Sequence, residues 1–174
     1  MKKILCVLIA CVIALSLCAC SFHRIESDDP DAYIKYVDDT AGAEDCMPAL
    51  GECGDYSSFS TTRKRISFIF LTETVGLFLS YDEEEYHRQK AKILSEYEFF
   101  QKGDEDLASD PDASVGGYDI RLVKREYPYD TCKNGLLIGV NDTERKLCYL
   151  FYSDYDMDRI EDLDDYIEEC FYLD

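Results

Sequence analysis

The 174-residue chain has no tryptophan, two histidines and four prolines, and its 18 Lys and Arg are outnumbered by 37 Asp and Glu. Each shortage excludes something. A formal charge of −19 repels a phosphate backbone, so nucleic-acid binding is excluded on electrostatic grounds. The only imidazoles are His23, close to the amino end, and His87, so a histidine-dependent triad has one usable base. Glu83 lies one helical turn from His87, but two ligands make a poor metal site. Gly-x-Ser-x-Gly, a glycine-rich phosphate loop and HExxH are absent, and no Cys-x-x-Cys occurs beyond residue 20. These absences remove the common signatures of serine hydrolases, P-loop enzymes, zincins, zinc ribbons and thioredoxin-like proteins, and no cofactor is indicated. Carboxylates are so abundant that no pair stands out for acid–base work. After Leu17 no hydrophobic run approaches the length that spans a bilayer.

What is present begins at the amino end. Lys2 and Lys3 precede an apolar run from Ile4 to Leu17, interrupted only by Ser16, and the run ends in Leu17-Cys18-Ala19-Cys20. At about 1.5 Å per residue it reaches roughly 21 Å, short of the roughly 30 Å hydrocarbon core. It therefore reads as a cleavable leader over residues 1–19. Its last four residues resemble the lipobox of bacterial lipoproteins, with Leu17 at −3, Ala19 at −1 and Cys20 at +1. Cys18 at −2 departs from the usual Ser, Thr, Ala or Val. The resemblance implies diacylglycerol transfer to the Cys20 thiol, cleavage between Ala19 and Cys20, and an acyl-anchored protein on the outer face of the plasma membrane, as in small Gram-positive lipoproteins. Two chains supply the anchoring that one chain cannot. Loss of the leader removes Lys2 and Lys3 and leaves 16 cations against 37 acids, a formal −21. Residues 20–29 read as the lipidated cysteine and a polar tether, with one domain over 30–174. An acidic leaflet repels so acidic a domain, which is expected to stand off the membrane.

The expected fold is α+β, a mostly antiparallel sheet with two long helices. Asp29-Pro30 caps a short helix carrying Tyr33, Ile34 and Val37 on one face. A loop with Gly42, Pro48, Gly51 and Gly54 follows. Strands are expected from Tyr56 to Leu71 and from Val75 to Tyr81, then a helix from Glu83 to Tyr97 with Tyr86, Ile93, Leu94 and Tyr97 inward. The acidic stretch 103–117 reads as loop. Tyr118, Ile120 and Leu122 alternate as a strand, and a hairpin turns at Asn141–Arg145. The chain closes with a helix from about Met157, acidic on its outer face. Leu77–Asp82 and Leu150–Asp156 echo each other, which suggests a strand-strand-strand-helix repeat.

Five cysteines remain after Cys20: Cys46, Cys53, Cys132, Cys148 and Cys170. Export permits disulfides. Cys46 and Cys53, seven apart in a glycine-rich loop, form the first expected pair, and Cys148 with Cys170 the second. Symmetric pairing about Thr143 sets Ile138, not Cys132, opposite Cys148. Asp154, Asp156 and Asp158 resemble the opening of an EF-hand calcium loop, but Arg159 stands where glycine is required; helix capping is the alternative use of these acids. The chain is thus expected to be a lipid-anchored, extracytoplasmic acidic domain that binds a basic peptide or surface protein or has a structural role, without evident catalysis. The alternative is a small exported carboxylate-dependent hydrolase.

Overall fold

The computed structural model describes residues 23–67, 71–104, 111–124, 133–154, 162–171 and 173. Seven strands and three helices follow in the order β1 (His23–Ser27), α1 (Pro30–Asp38), β2 (Ser58–Ser67), β3 (Leu71–Ser80), α2 (Glu83–Glu96), β4 (Asp112–Val115), β5 (Tyr118–Leu122), β6 (Asn134–Asn141), β7 (Lys146–Asp154) and α3 (Leu163–Phe171). One sheet holds all seven strands in the order β1-β2-β3-β7-β6-β5-β4, and every neighbouring pair is antiparallel. The expected α+β class with an antiparallel sheet is what the chain adopts.

The helix starts follow from capping. Asp29 is extended and its carboxylate accepts from the Asp31 amide at 3.0 Å, with Pro30 in the first turn of α1. Asp82 caps α2 by accepting from the Glu85 amide at 2.9 Å, and Glu83, Glu84 and Glu85 fill its positive end. Asp162 accepts from the amides of Asp164 and Asp165 at the start of α3; Asp156 and Asp158, for which capping is the expected alternative to calcium, lie outside the described residues.

The sheet is buried on both faces. On one, Val75, Leu77 and Leu79 of β3, Leu147, Tyr149 and Phe151 of β7, and Leu136 and Ile138 of β6 pack under Tyr33 and Tyr36 of α1, Ile93 and Tyr86 of α2, and Ala43, Cys46, Met47 and Cys53 of the intervening segment. On the other, Cys148, Leu150, Tyr152, Leu137, Ile120 and Leu122 pack under Leu163, Ile167, Cys170 and Phe171 of α3. Side chains alternate along β7 between the two cores, which is why it reads as an unbroken apolar run.

Four expectations are corrected. Residues 23–27 are not free tether: they form edge strand β1, with His23 opposite Arg65 and Ser27 opposite Thr61. The acidic loop holds β4, which pairs with β5 through Gly116 and Gly117, both at positive φ (57° and 76°). Among the described residues only α2 is long, at 14 residues, against nine in α3, and its Leu94 is exposed while Glu85 and Gln89 are buried. The second half brings four strands where the expected repeat has three, and α2 and α3 cover opposite faces.

The β6–β7 turn sets register by a single residue. Asn141 pairs with Lys146, and Gly139 rather than Ile138 stands opposite Cys148. The cause is local: the Asn141 side chain accepts from the Glu144 amide at 2.9 Å, and Arg145 takes a left-handed φ of 56°, giving a four-residue loop instead of a symmetric five.

Candidate binding site

Between α1 and β2, residues 43–54 form a ridge over the first core. Three sides pin it. From α1, the Tyr33 hydroxyl donates to the Pro48 carbonyl at 2.6 Å. From the end of β3, the Tyr81 hydroxyl donates to the Cys53 carbonyl at 2.8 Å. From α2, Lys92 Nζ donates to the Glu52 carbonyl at 2.9 Å, and Glu85 Oε1 accepts from the Asp55 amide at 3.3 Å. A short 3-10 turn at Leu50–Glu52 shapes the crest.

The ridge separates two hollows of different chemistry. Towards α2 lies a polar cleft of about 580 Å3, lined by Glu52, Arg88, Lys92, Glu96, Tyr97 and Tyr149 among others. Its cations are engaged: Arg88 Nη2 lies 2.6 Å from Glu85 Oε2, and Lys92 lies 3.9 Å from Glu96. Towards α1 lies a mainly apolar hollow of about 420 Å3, walled by Tyr33, Ile34, Val37, Met47, Pro48 and Leu50. Asp38 and Glu44 stand at its edge.

Glu85 is the keystone. It accepts from Asp55 N, from Gln89 Nε2 at 2.8 Å and from Arg88. The Arg88 and Gln89 hydrogen bonds hold its carboxyl below the usual range. Asp142, in the β6–β7 turn, is likewise held low by Lys90 of α2 and by the Tyr86 hydroxyl, which donates to it at 2.8 Å. Neither carboxyl is tuned to donate a proton near neutrality. The nearby thiol is not activated either: Cys53 donates to the Ala49 carbonyl at 3.5 Å, and burial pushes it up to about 11. Burial also pushes the Tyr33, Tyr81 and Tyr149 phenols upward.

This clamp makes stability depend on pH with a definite sign. The native Glu85 carboxyl holds its proton more weakly than the same group in the unfolded chain. Its contribution is complete above the unfolded pKa and is lost as pH falls from there through the lowered native value. Protonation also relieves repulsion in so acidic a chain, so the comparison needs a matched variant. Between pH 7 and about pH 4, the urea midpoint of Glu85→Gln should fall less than that of the wild type; equal slopes would remove the clamp from the account.

The cysteines divide between the two cores. Cys46 and Cys53 belong to the first, Cys148 and Cys170 to the second. Cys53, Cys148 and Cys170 stand as thiols, so neither expected bridge is formed in the structure. For Cys148 and Cys170 the reason is distance along the sheet. Cys148 is opposite Phe78, whereas the Cys170 carbonyl accepts from Thr74 Oγ1 at 3.3 Å. Thr74 and Phe78 are four residues apart on β3, roughly 13 Å, against a Cα separation of at most about 7 Å for a disulfide. Ala19, Cys20 and Cys132 lie outside the described residues. His87 is exposed, and Glu83, its expected neighbour, lies 3.9 Å from Arg145. Among the described residues no three His, Cys, Asp or Glu gather as a metal site.

The sequence does not show the clamp at Glu85 or the ridge it supports. Gly54, at a φ of +74°, was the one visible signal.

The class defined by this geometry is an α+β sandwich, a seven-stranded antiparallel sheet between helices, bearing a pinned surface ridge flanked by two hollows. Compared with models of protein families, with curated proteins and with solved structures, the chain matches none.

Proposed function

We propose that the protein is a lipid-anchored, extracytoplasmic binding protein on the outer face of a bacterial plasma membrane, held through acyl chains on Cys20 and presenting an acidic domain to a partner. The observation that carries the anchoring is Leu17-Cys18-Ala19-Cys20 at the end of a short apolar run. The position of β1 bears on how the domain is held. Strand pairing is described from His23 onward, so at most two residues separate the anchor from the sheet, a reach of no more than about 10 Å. The domain stays close to the headgroups, not at the end of a long tether as its polar sequence suggests. Confinement to two dimensions raises its effective concentration near a membrane-held partner.

At this site neither Glu85 nor Asp142 suits the acid of a carboxylate-dependent hydrolase. Both Glu85 and Asp142 are held low, whereas a general acid at neutral pH requires a raised value. The anchor is tested by mass spectrometry of the mature amino end and by cell fractionation. Wild type should begin at an acylated Cys20 and sediment with membranes, and Cys20→Ala should be released. An unmodified wild-type terminus in the culture fluid would overturn the anchoring.

A further inference from the structure

We infer that the apolar hollow between α1 and the ridge docks a basic amphipathic segment of a partner protein; this rests on reading the domain as a binding module and names the partner's chemistry. The hollow has a hydrophobic wall that is open among the described residues. Ile34, in the middle of α1, is 52% exposed and borders about 420 Å3 of space that Met47 and Leu50 face from the ridge. A large aliphatic group half exposed beside other apolar groups favours being covered.

Charge selects what covers it. Asp38 and Glu44, which border the hollow, are exposed, and neither makes an ion pair with a described Lys or Arg. This contrasts with the polar cleft across the ridge, where Arg88 and Lys92 answer Glu85 and Glu96. A second copy of the chain would bring the same acids against these, and an anionic leaflet would be repelled. A segment that inserts an aliphatic side chain beside Ile34 and sets Lys or Arg against Asp38 and Glu44 satisfies both halves of the surface. It recovers apolar area and places charge opposite carboxylates that already stand in solvent, so little desolvation opposes it.

The experiment uses the chain from Ser21 onward, which holds every described element, and a synthetic peptide of leucine and lysine at helical spacing. Backbone amide shifts should concentrate in residues 33–38 and 44–51. Ile34→Ser should weaken binding at least ~10-fold, while Leu94→Ser, at the equally exposed apolar position on α2 (55%), should leave it within about twofold. Asp38→Asn with Glu44→Gln should weaken binding and flatten its salt dependence. Several results overturn the proposal. One is a lysine–serine peptide of equal charge that binds as tightly; another is an equal effect of Ile34→Ser and Leu94→Ser; a third is a dimer that Ile34→Ser makes monomeric, so that a second copy is the occupant. Absence of peptide binding also overturns it. Each leaves acylation of Cys20, measured separately, as it stands.

Discussion

Gly54→Ala should lower stability by about 3 kcal/mol and the melting temperature by roughly 10 °C, a large effect for one added methyl group. Two costs combine. The backbone at Gly54 has a φ of +74°, where a side chain costs about 1–2 kcal/mol. The added Cβ would also lie 2.0 Å from Glu85 Oε1 and 2.2 Å from Gln89 Nε2. Those atoms end flexible side chains and can swing aside, but only by abandoning the hydrogen bond between them and the one to Asp55. A charge-assisted hydrogen bond contributes about 1.5–3 kcal/mol. Gly51 is the matched control: on the crest of the same ridge, it has nothing within 4 Å of an added Cβ, so Gly51→Ala should stay within about 0.5 kcal/mol of wild type. Urea denaturation of the three proteins decides it. A Gly54→Ala variant as stable as Gly51→Ala would mean that the clamp does not hold the ridge.

Gly54 also shows why the site was less legible than the fold. Local pattern gave β2, β3, β5, β6 and β7, because alternation and apolar runs are written in consecutive residues, and Asp29-Pro30 and Asp82 announced α1 and α2. Strand β4 reads as loop in the sequence, although Ala113 and Val115 alternate with polar neighbours and Gly116-Gly117 is the pair a tight hairpin turn demands. The surrounding acids hid it. Strand β1 had no such signal, since His-Arg-Ile-Glu-Ser is a strand only because the edge of β2 accepts it. The ridge is harder still. Its supports, Tyr33, Tyr81, Glu85 and Lys92, come from three elements, and the separation between Asp55 and Glu85 is thirty residues. Spacing within one element cannot encode a contact made by folding.

The second large effect is expected at Glu73, where Glu73→Ala should cost about 3 kcal/mol. Glu73 is 4% exposed, accepts from Arg63 Nη2 at 3.4 Å and pairs with Arg65, whose Nε lies 3.2 Å away. Arg65 is half exposed and keeps water when the carboxylate goes. Arg63 does not: its side chain is 11% exposed, and its Nε already lacks a described partner. Asp39, at 3.2 Å from Nη1, offsets part of the loss and keeps the cost at the lower end of what a broken buried pair shows. The same reasoning gives the double variant an unusual sign. Arg63→Met with Glu73→Leu removes both charges together, replaces them with apolar groups beside Val75 and Tyr36, and should recover most of what Glu73→Ala loses. A purely additive pair of losses would show that Arg63 and Glu73 act independently. Recovery would show that this end of the sheet tolerates an apolar pair, and that the ions constrain one another more than they stabilise the fold.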